Sequence, residues 1–265
     1  MTSLDNRLYV LRGNKSAEQI EVYDIDSLHL HGCLTVPGLV VRGIGDIVAC
    51  VQNLCAYISD FAHNSIHRVA LSDAAVTRWP VNDTPVGLSL TATHGVLVTC
   101  WEVRQVKEFT TDGKLLQVLT LPQDVVSPWH TIQLSSGEFI VCHGNLISDL
   151  HRVCLIGSDG SVVKSYGGPR GSGSQQVNRP YHVAVDRNGF VFLVDMINDR
   201  LLLLSPELRY VCEVASREQL QWGPITVHFE SDRGRLYVAE NEFRHRKWAA
   251  GRVVVVRDRR CTSIN

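Results

Sequence analysis

Apolar and polar residues alternate along this chain in short runs separated by turn residues, the period-two signature of strands that bury one face. The clearest unit opens at Pro180. There an alternating segment from His182 to Asp186 is followed by Asn188-Gly189 and by a more apolar segment from Phe190 to Asp195. Asn-Gly tolerates positive φ, so it predicts a two-residue hairpin turn between these strands. A third strand is predicted from Arg200 to Ser205 and a fourth from Tyr210 to Val214, across a turn at Pro206-Glu207.

Other parts of the chain can be laid over this unit. Openers fall at 43 (Gly-Ile-Gly), 85 (Pro-Val-Gly), 128 (Pro-Trp-His), 180 (Pro-Tyr-His) and 224 (Pro-Ile-Thr), at intervals of 42, 43, 52 and 44 residues. The long interval holds Gly167-Gly-Pro-Arg-Gly-Ser-Gly-Ser-Gln-Gln, a surface loop rather than a domain linker, because the repeat phase resumes at Pro180. Thr111-Asp-Gly, Ser158-Asp-Gly and Ser205-Pro-Glu each predict a turn between a third and a fourth strand. In the first unit the strands from Arg7, Gln19 and His31 match the second to fourth, with the first missing. The last unit has no obvious outer strand beyond Arg259-Arg-Cys-Thr-Ser-Ile-Asn. Four short strands repeating every forty to fifty residues or so is the arithmetic of an all-β propeller.

Pro180-Tyr-His-Val-Ala-Val-Asp-Arg-Asn-Gly, followed by Asp195-Met-Ile-Asn198-Asp199-Arg200-Leu201, resembles an NHL repeat. The resemblance implies a β-propeller of NHL type, with four-stranded antiparallel blades around a central channel, and the six units visible in the repeat make it six-bladed, with the first and last blades reading as incomplete. The expectation is a single domain over residues 1–265, since a chain of 265 residues is long enough for one closed propeller. How the ring closes is left open.

Composition narrows the function classes. With 45% hydrophobic residues, 20% charged residues and a formal net charge of −1, bulk charge does not point to nucleic acid. The eight cysteines form no Cys-x-x-Cys pair and most sit in apolar strand-like segments, which reads as buried free thiols in a reducing, cytoplasmic setting. The longest apolar runs are too short to span a bilayer, and the first residues lack a signal-peptide core.

Asp60, Asp195 and Glu240 recur at the end of second strands. In Asp195-x-x-Asn198-x-Arg200 the carboxylate can tie down the turn through the amide and the arginine, so the acids are read as structural rather than catalytic. Asp60-x-x-His63-x-Ser65 keeps the spacing with substitutions. His130 and His182 stand at the same place in successive units, but Gly87 and Thr226 occupy it elsewhere, so that position supplies no third zinc ligand. No metal, cofactor or catalytic residue is assigned. A Gly-x-Ser-x-Gly elbow, a Walker loop and a dinucleotide fingerprint are all absent from the sequence.

The sharpest local charge is Phe243-Arg244-His245-Arg246-Lys247-Trp248, basic residues interleaved with aromatics, which suits phosphate contact and base stacking. It lies in a connection between second and third strands, and all such loops emerge on one face of a propeller. On that rim the candidate binding residues are Trp101, Arg104, Trp129, His130, Tyr181, His182, Arg200, Phe243, Arg244, His245, Arg246, Lys247 and Trp248. Trp129 and Tyr181 have a second reading, as packing between neighbouring blades.

The expected function is a non-catalytic binding module for a protein partner or single-stranded RNA, with no membrane and no small-molecule substrate. NHL propellers often end tripartite-motif ubiquitin ligases and select their targets, so the resemblance implies a target-selecting role. The alternative is a propeller hydrolase or lyase with a metal in the central channel.

Overall fold

The computed structural model describes residues 1–13, 18–39, 45–220, 222–241 and 252–257, which fall into two compact units, Met1–Leu121 and Pro122–Asn265. The first unit holds three antiparallel sheets. These are β1 (Thr2–Leu4), β2 (Arg7–Gly13), β3 (Glu18–Asp24) and β4 (Leu30–Thr35); β5 (Ile47–Cys50), β6 (Cys55–Asp60), β7 (Ser65–Ala70) and β8 (Val76–Pro80); and β9 (Pro85–Leu90), β10 (Val96–Cys100), β11 (Gln105–Phe109) and β12 (Leu115–Thr120).

The second unit holds three more. They are β13 (Pro128–Gln133), β14 (Phe139–His143), β15 (Leu150–Ile156) and β16 (Val162–Pro169); β17 (Pro180–Val185), β18 (Val191–Asp195), β19 (Arg200–Leu204) and β20 (Tyr210–Ala215); and β21 (Gly223–Glu230), β22 (Arg235–Asn241) and β23 (Arg252–Arg257). In every sheet the strands pair in chain order, as successive hairpins.

One expectation changes. The first sheet is complete, because β1 pairs with β2 from Thr2↔Tyr9 to Leu4↔Arg7. A strand of three residues is too short to show alternation, which is why the pattern misses it. The last sheet has three strands among the described residues, and residues 258–265 lie outside them. The Gly43-Ile-Gly opener lies outside them as well, whereas the openers at Pro85, Pro128 and Pro180 each begin a first strand and Pro224 stands one residue into β21.

The Asn188-Gly189 turn is also longer than its dipeptide suggests. Only Gly189 has positive φ, at 82°. The hairpin closes through Asp186, whose N–H donates to the Phe190 carbonyl at 3.0 Å, and whose Oδ1 accepts from the N–H groups of Asn188 and Phe190 at 2.8 and 2.9 Å. The aspartate satisfies the backbone that a two-residue turn would have paired, so the loop needs one left-handed residue instead of two.

Burial falls from second strand to fourth. Every residue of β6, β10, β14 and β18 is buried, whereas β12 is exposed over most of its length. This is why second strands read as nearly continuous apolar runs and fourth strands as polar ones. In the first unit, Leu4, Ile20, Ile47 and Ile58 form one core, and Tyr57, Trp79, Val98 and Phe109 the next. In the second unit, Phe192, Leu201, Val227 and Leu236 fill the space between its last two sheets. Each such side chain contributes roughly 1.5–3 kcal/mol by leaving water.

First strands are tied side by side within the first unit: the Ala49 N–H donates to Thr2 Oγ1 at 3.1 Å, and the Leu88 N–H to Asp46 Oδ2 at 2.9 Å. Among the described residues six cysteines are free thiols, five of them buried, and burial pushes the Cys100 and Cys154 thiols up to about 12, leaving them unreactive. Cys212 departs from the expectation of free thiols, being disulfide-bonded.

Gly113 gives a direct test of packing between the second and third sheets. It sits at φ 90° in the Thr111-Asp-Gly turn, and a Cβ there would stand 2.5 Å from Trp79 Cγ. Gly113→Ala should lower stability by at least about 2 kcal/mol, from the left-handed backbone and the clash together, read as a shift in urea midpoint. An unchanged midpoint would mean that Trp79 does not close over this turn.

Candidate binding site

One register position recurs through the second unit. Pro128 stands opposite His143, Pro180 opposite Asp195 and Pro224 opposite Glu240. On the other side the same three residues face Arg152, Arg200 and Arg252, each in the third strand of its sheet. The end of every second strand is thus placed between the opener and an arginine.

In the fifth sheet this makes a complete lock. Asp195 is fully buried; its Oδ2 accepts from Asn198 Nδ2 at 2.8 Å and Arg200 Nε at 2.7 Å, and its Oδ1 from the Asn178 N–H at 2.7 Å. Arg200 Nη2 also donates to the Gln176 carbonyl at 2.9 Å, and Asn198 Nδ2 to the Gly171 carbonyl at 3.0 Å, so the glycine- and serine-rich loop hangs on the same group. Burial pushes the Asp195 carboxyl up, and the three donors pull it back. The structural reading of this aspartate stands.

The sixth sheet repeats the lock with a longer acid: Arg252 Nε donates to Glu240 Oε2 at 2.8 Å. In the fourth sheet a histidine takes the acid's place. Arg152 Nε donates to His143 Nε2 at 3.2 Å, so His143 is neutral there, and the arginine takes its charge partner from Asp124, 2.6 Å away. Burial, with Arg152 adding to it, lowers the His143 pKa to about 4.

The first unit varies the theme further. Asp60 Oδ2 accepts from His63 Nδ1 at 2.8 Å and His67 Nε2 at 2.9 Å, and Oδ1 from the His63 N–H at 3.1 Å. Ser65, opposite Asp60, is too short to reach it and its hydroxyl has no partner; His67 two residues along the same strand face replaces the arginine. In the third sheet Cys100 stands opposite Gln105, and Lys107, again two residues on, bonds to Asp83 and to the Val81 carbonyl. In the first sheet the charges are reversed, with Arg12 Nε donating to Glu21 Oε2 at 2.7 Å.

The expected binding residues therefore divide. Arg200 serves the lock. Trp129 is buried, its Nε1–H donating to the Gly144 carbonyl at 2.7 Å, and it meets Tyr181 with ring centroids 4.9 Å apart, so the packing reading describes this pair. His130 and His182 stack at 3.8 Å. Trp101 and Arg104 are half-buried at the β10–β11 connection. Phe243, Arg244, His245, Arg246, Lys247 and Trp248 lie outside the described residues.

Two residues that were not singled out join this end of the second unit. The Arg179 guanidinium lies 4.9 Å from the Trp129 ring centroid and 5.4 Å from that of Tyr181. Buried His151 accepts the Arg179 N–H on Nδ1 at 2.8 Å and donates from Nε2 to the Asn145 carbonyl at 2.7 Å, which fixes its neutral tautomer. The signal for Arg179 was its place beside Pro180-Tyr-His; nothing local marked His151.

The loop that His151 holds, 144–149, presents Leu146 and Ile147, 58% and 93% exposed, and the short 3-10 turn Met196–Asn198 presents Ile197 at 41%. Arg170 Nη1 donates to the Leu146 carbonyl at 2.8 Å, next to Gly171 whose carbonyl receives Asn198, so the two exposed patches flank one hydrogen-bonded segment.

The sequence matches no protein-family model and no curated protein. Solved structures do match. The chain is similar to a streptogramin B lyase (TM-score 0.64, 12% identity, 97% of this chain and 81% of that one). It is similar also to hydrazine synthase of Kuenenia stuttgartiensis (0.63, 13%, 95% and 92%) and to a chain of a nidogen/laminin complex (0.67, 17%, 92% and 92%). At these identities the likeness fixes the fold alone: the chain is a six-bladed β-propeller. Propellers of this kind serve lyases and binding proteins, so function must be argued from the site. No helix among the described residues is long and apolar enough to cross a membrane.

The locks make two predictions. Asp195→Ala leaves Arg200 and the Asn178 N–H without their acceptor and should cost about 3 kcal/mol in urea unfolding; a loss under about 1 kcal/mol would show that the lock contributes little. The depressed His143 pKa makes the unfolded chain bind the proton first as pH falls. This contribution to stability is therefore complete above about pH 6.5 and is lost towards pH 4, by up to about 3 kcal/mol. His143→Gln keeps an acceptor for Arg152 and cannot titrate, so its urea midpoint should fall less than that of the parent over the same range; parallel curves would exclude His143 as the source.

Proposed function

We propose that this propeller is a non-catalytic module that binds a protein partner at the end of the second unit carrying its connections between second and third strands. The observation that supports this is the set of exposed aliphatic side chains, Leu146, Ile147 and Ile197, on connections held by hydrogen bonds from His151, Arg170 and Asn198. Exposed apolar groups on pre-ordered loops lose little entropy on binding, which favours a protein surface as their complement.

The rim cations weigh against RNA as the first reading. Arg12, Arg152, Arg200 and Arg252 are each paired with a carboxylate, so phosphate contact would rest mainly on Arg244, Arg246 and Lys247. The resemblance of the Pro180 unit to an NHL repeat supports a target-selecting role of the kind the propellers of tripartite-motif ubiquitin ligases play, and the free thiols support a cytoplasmic setting, against the bonded Cys212. The alternative, a metal-dependent hydrolase or lyase, has the stacked His130–His182 pair in its favour. Zinc or calcium retained at one ion per purified chain would select it.

The test is affinity capture with the full chain and with Leu146→Ser/Ile147→Asp. Both positions are exposed, so the variant should keep the parent's stability within about 0.5 kcal/mol. A partner held by the parent and retained at least tenfold less by the variant is the expected result; equal retention by both would remove these loops from the binding surface.

A further inference from the structure

The three third-strand arginines at this end of the second unit share a feature that Arg179, at the entry to a first strand, lacks. Arg152, Arg200 and Arg252 each meet a carboxylate at 2.6–2.8 Å. Arg179 is half-buried, its Nε is buried without an acceptor, and no carboxylate of the described residues reaches its guanidinium. Its neighbours are the faces of Trp129 and Tyr181. Burial pulls this guanidinium below its ordinary value, as expected of a cation that has lost water and gained no counter-ion.

The backbone there belongs to the repeat. Arg179 has φ 57°, and Ser127, the residue before Pro128, has φ 53°. In the fourth sheet the short side chain is used internally, Ser127 Oγ accepting from Asn145 Nδ2 at 2.7 Å. In the fifth sheet the same frame carries an arginine that no internal contact requires. Its position is nonetheless fixed, by the N–H bond to His151 and by the Met196 N–H donating to the Arg179 carbonyl at 3.3 Å.

We infer that Arg179 is an anion receptor, and that its guanidinium, walled by Trp129 and Tyr181, takes a carboxylate of an acidic peptide whose neighbouring aliphatic side chain rests on Leu146 and Ile147. The inference deepens the protein-binding reading and rests on it. Guanidinium meets carboxylate through two parallel hydrogen bonds, and aromatic walls hold the fork in place while excluding water. The aliphatic contact lies close by. One imidazole, that of His151, spans from the Arg179 N–H to the Asn145 carbonyl, and Leu146 and Ile147 follow directly. Trp129 is bonded to Gly144 at the start of the same loop. An incoming acid supplies the counter-charge that Arg152, Arg200 and Arg252 find within the fold and half-buried Arg179 does not.

The probe is a display library of random twelve-residue peptides selected on the immobilised full chain. Enriched peptides should carry Asp or Glu beside Leu, Ile or Val. Replacing that acid by its amide should weaken binding at least tenfold, as should Arg179→Met, while Arg179→Lys, which keeps the charge and loses the fork, should fall between. The amide exchange alters only the peptide, so it tests the contact even if a protein variant folds poorly. Peptides that bind through Leu146 and Ile147 but show no acid preference and ignore Arg179→Met would overturn the carboxylate assignment and leave the binding module standing. A selection that enriches no peptide would overturn the protein-binding reading itself, and this inference with it.

Discussion

A polar tie at the ends of second strands, most complete at buried Asp195, is the constraint on which the rest of the molecule depends. Strands of about five residues, joined by short hairpins, bury enough apolar surface to stack sheet on sheet, but apolar packing is non-directional and does not decide how a connection leaves the sheet. Asp195 does decide it. Its two oxygens gather a backbone N–H from before the first strand, a side-chain amide from within the connection and a guanidinium from the third strand. In a buried site, leaving any of these donors unpaired is costly, so one geometry is selected over its neighbours.

The same position tolerates different chemistry as long as the buried strand-end group finds a partner. Glutamate with arginine, histidine with arginine, aspartate with two histidines, and arginine with glutamate all occur there. The electrostatic consequences differ with the choice. The His143 version differs from the carboxylate ones in needing its ring uncharged to accept from Arg152. One fold thus contains ties that respond differently to acid, without any change in strand order.

Much of this was legible in the sequence because repetition amplifies weak signals. The openers at Pro85, Pro128, Pro180 and Pro224 announced the first strands, and Asp195-x-x-Asn198-x-Arg200 announced its own lock. What escaped was whatever depended on reach rather than spacing. His67 stands in for an arginine from two residues beyond the expected place, and β1 was hidden by being three residues long. The rim arginines looked like free charge in one dimension; only contacts between Arg152 and Asp124, or Arg252 and Glu240, reveal that they are spent internally. Arg179 sat beside Pro180-Tyr-His in the sequence, but its lack of a carboxylate partner among the described residues shows only in the fold.

The matching backbone at Ser127 and Arg179 has an implication for how such a molecule changes over time. Two neighbouring modules hold the same left-handed entry residue, one filled by a self-contained hydroxyl and the other by a long cation. Each module mainly contacts its neighbours, so a side chain can be exchanged at one entry while the scaffold elsewhere goes unperturbed. A repeated frame of this kind is a row of independently addressable sockets. New recognition can arise by swapping one residue in one socket, and can be lost the same way, with folding left almost untouched.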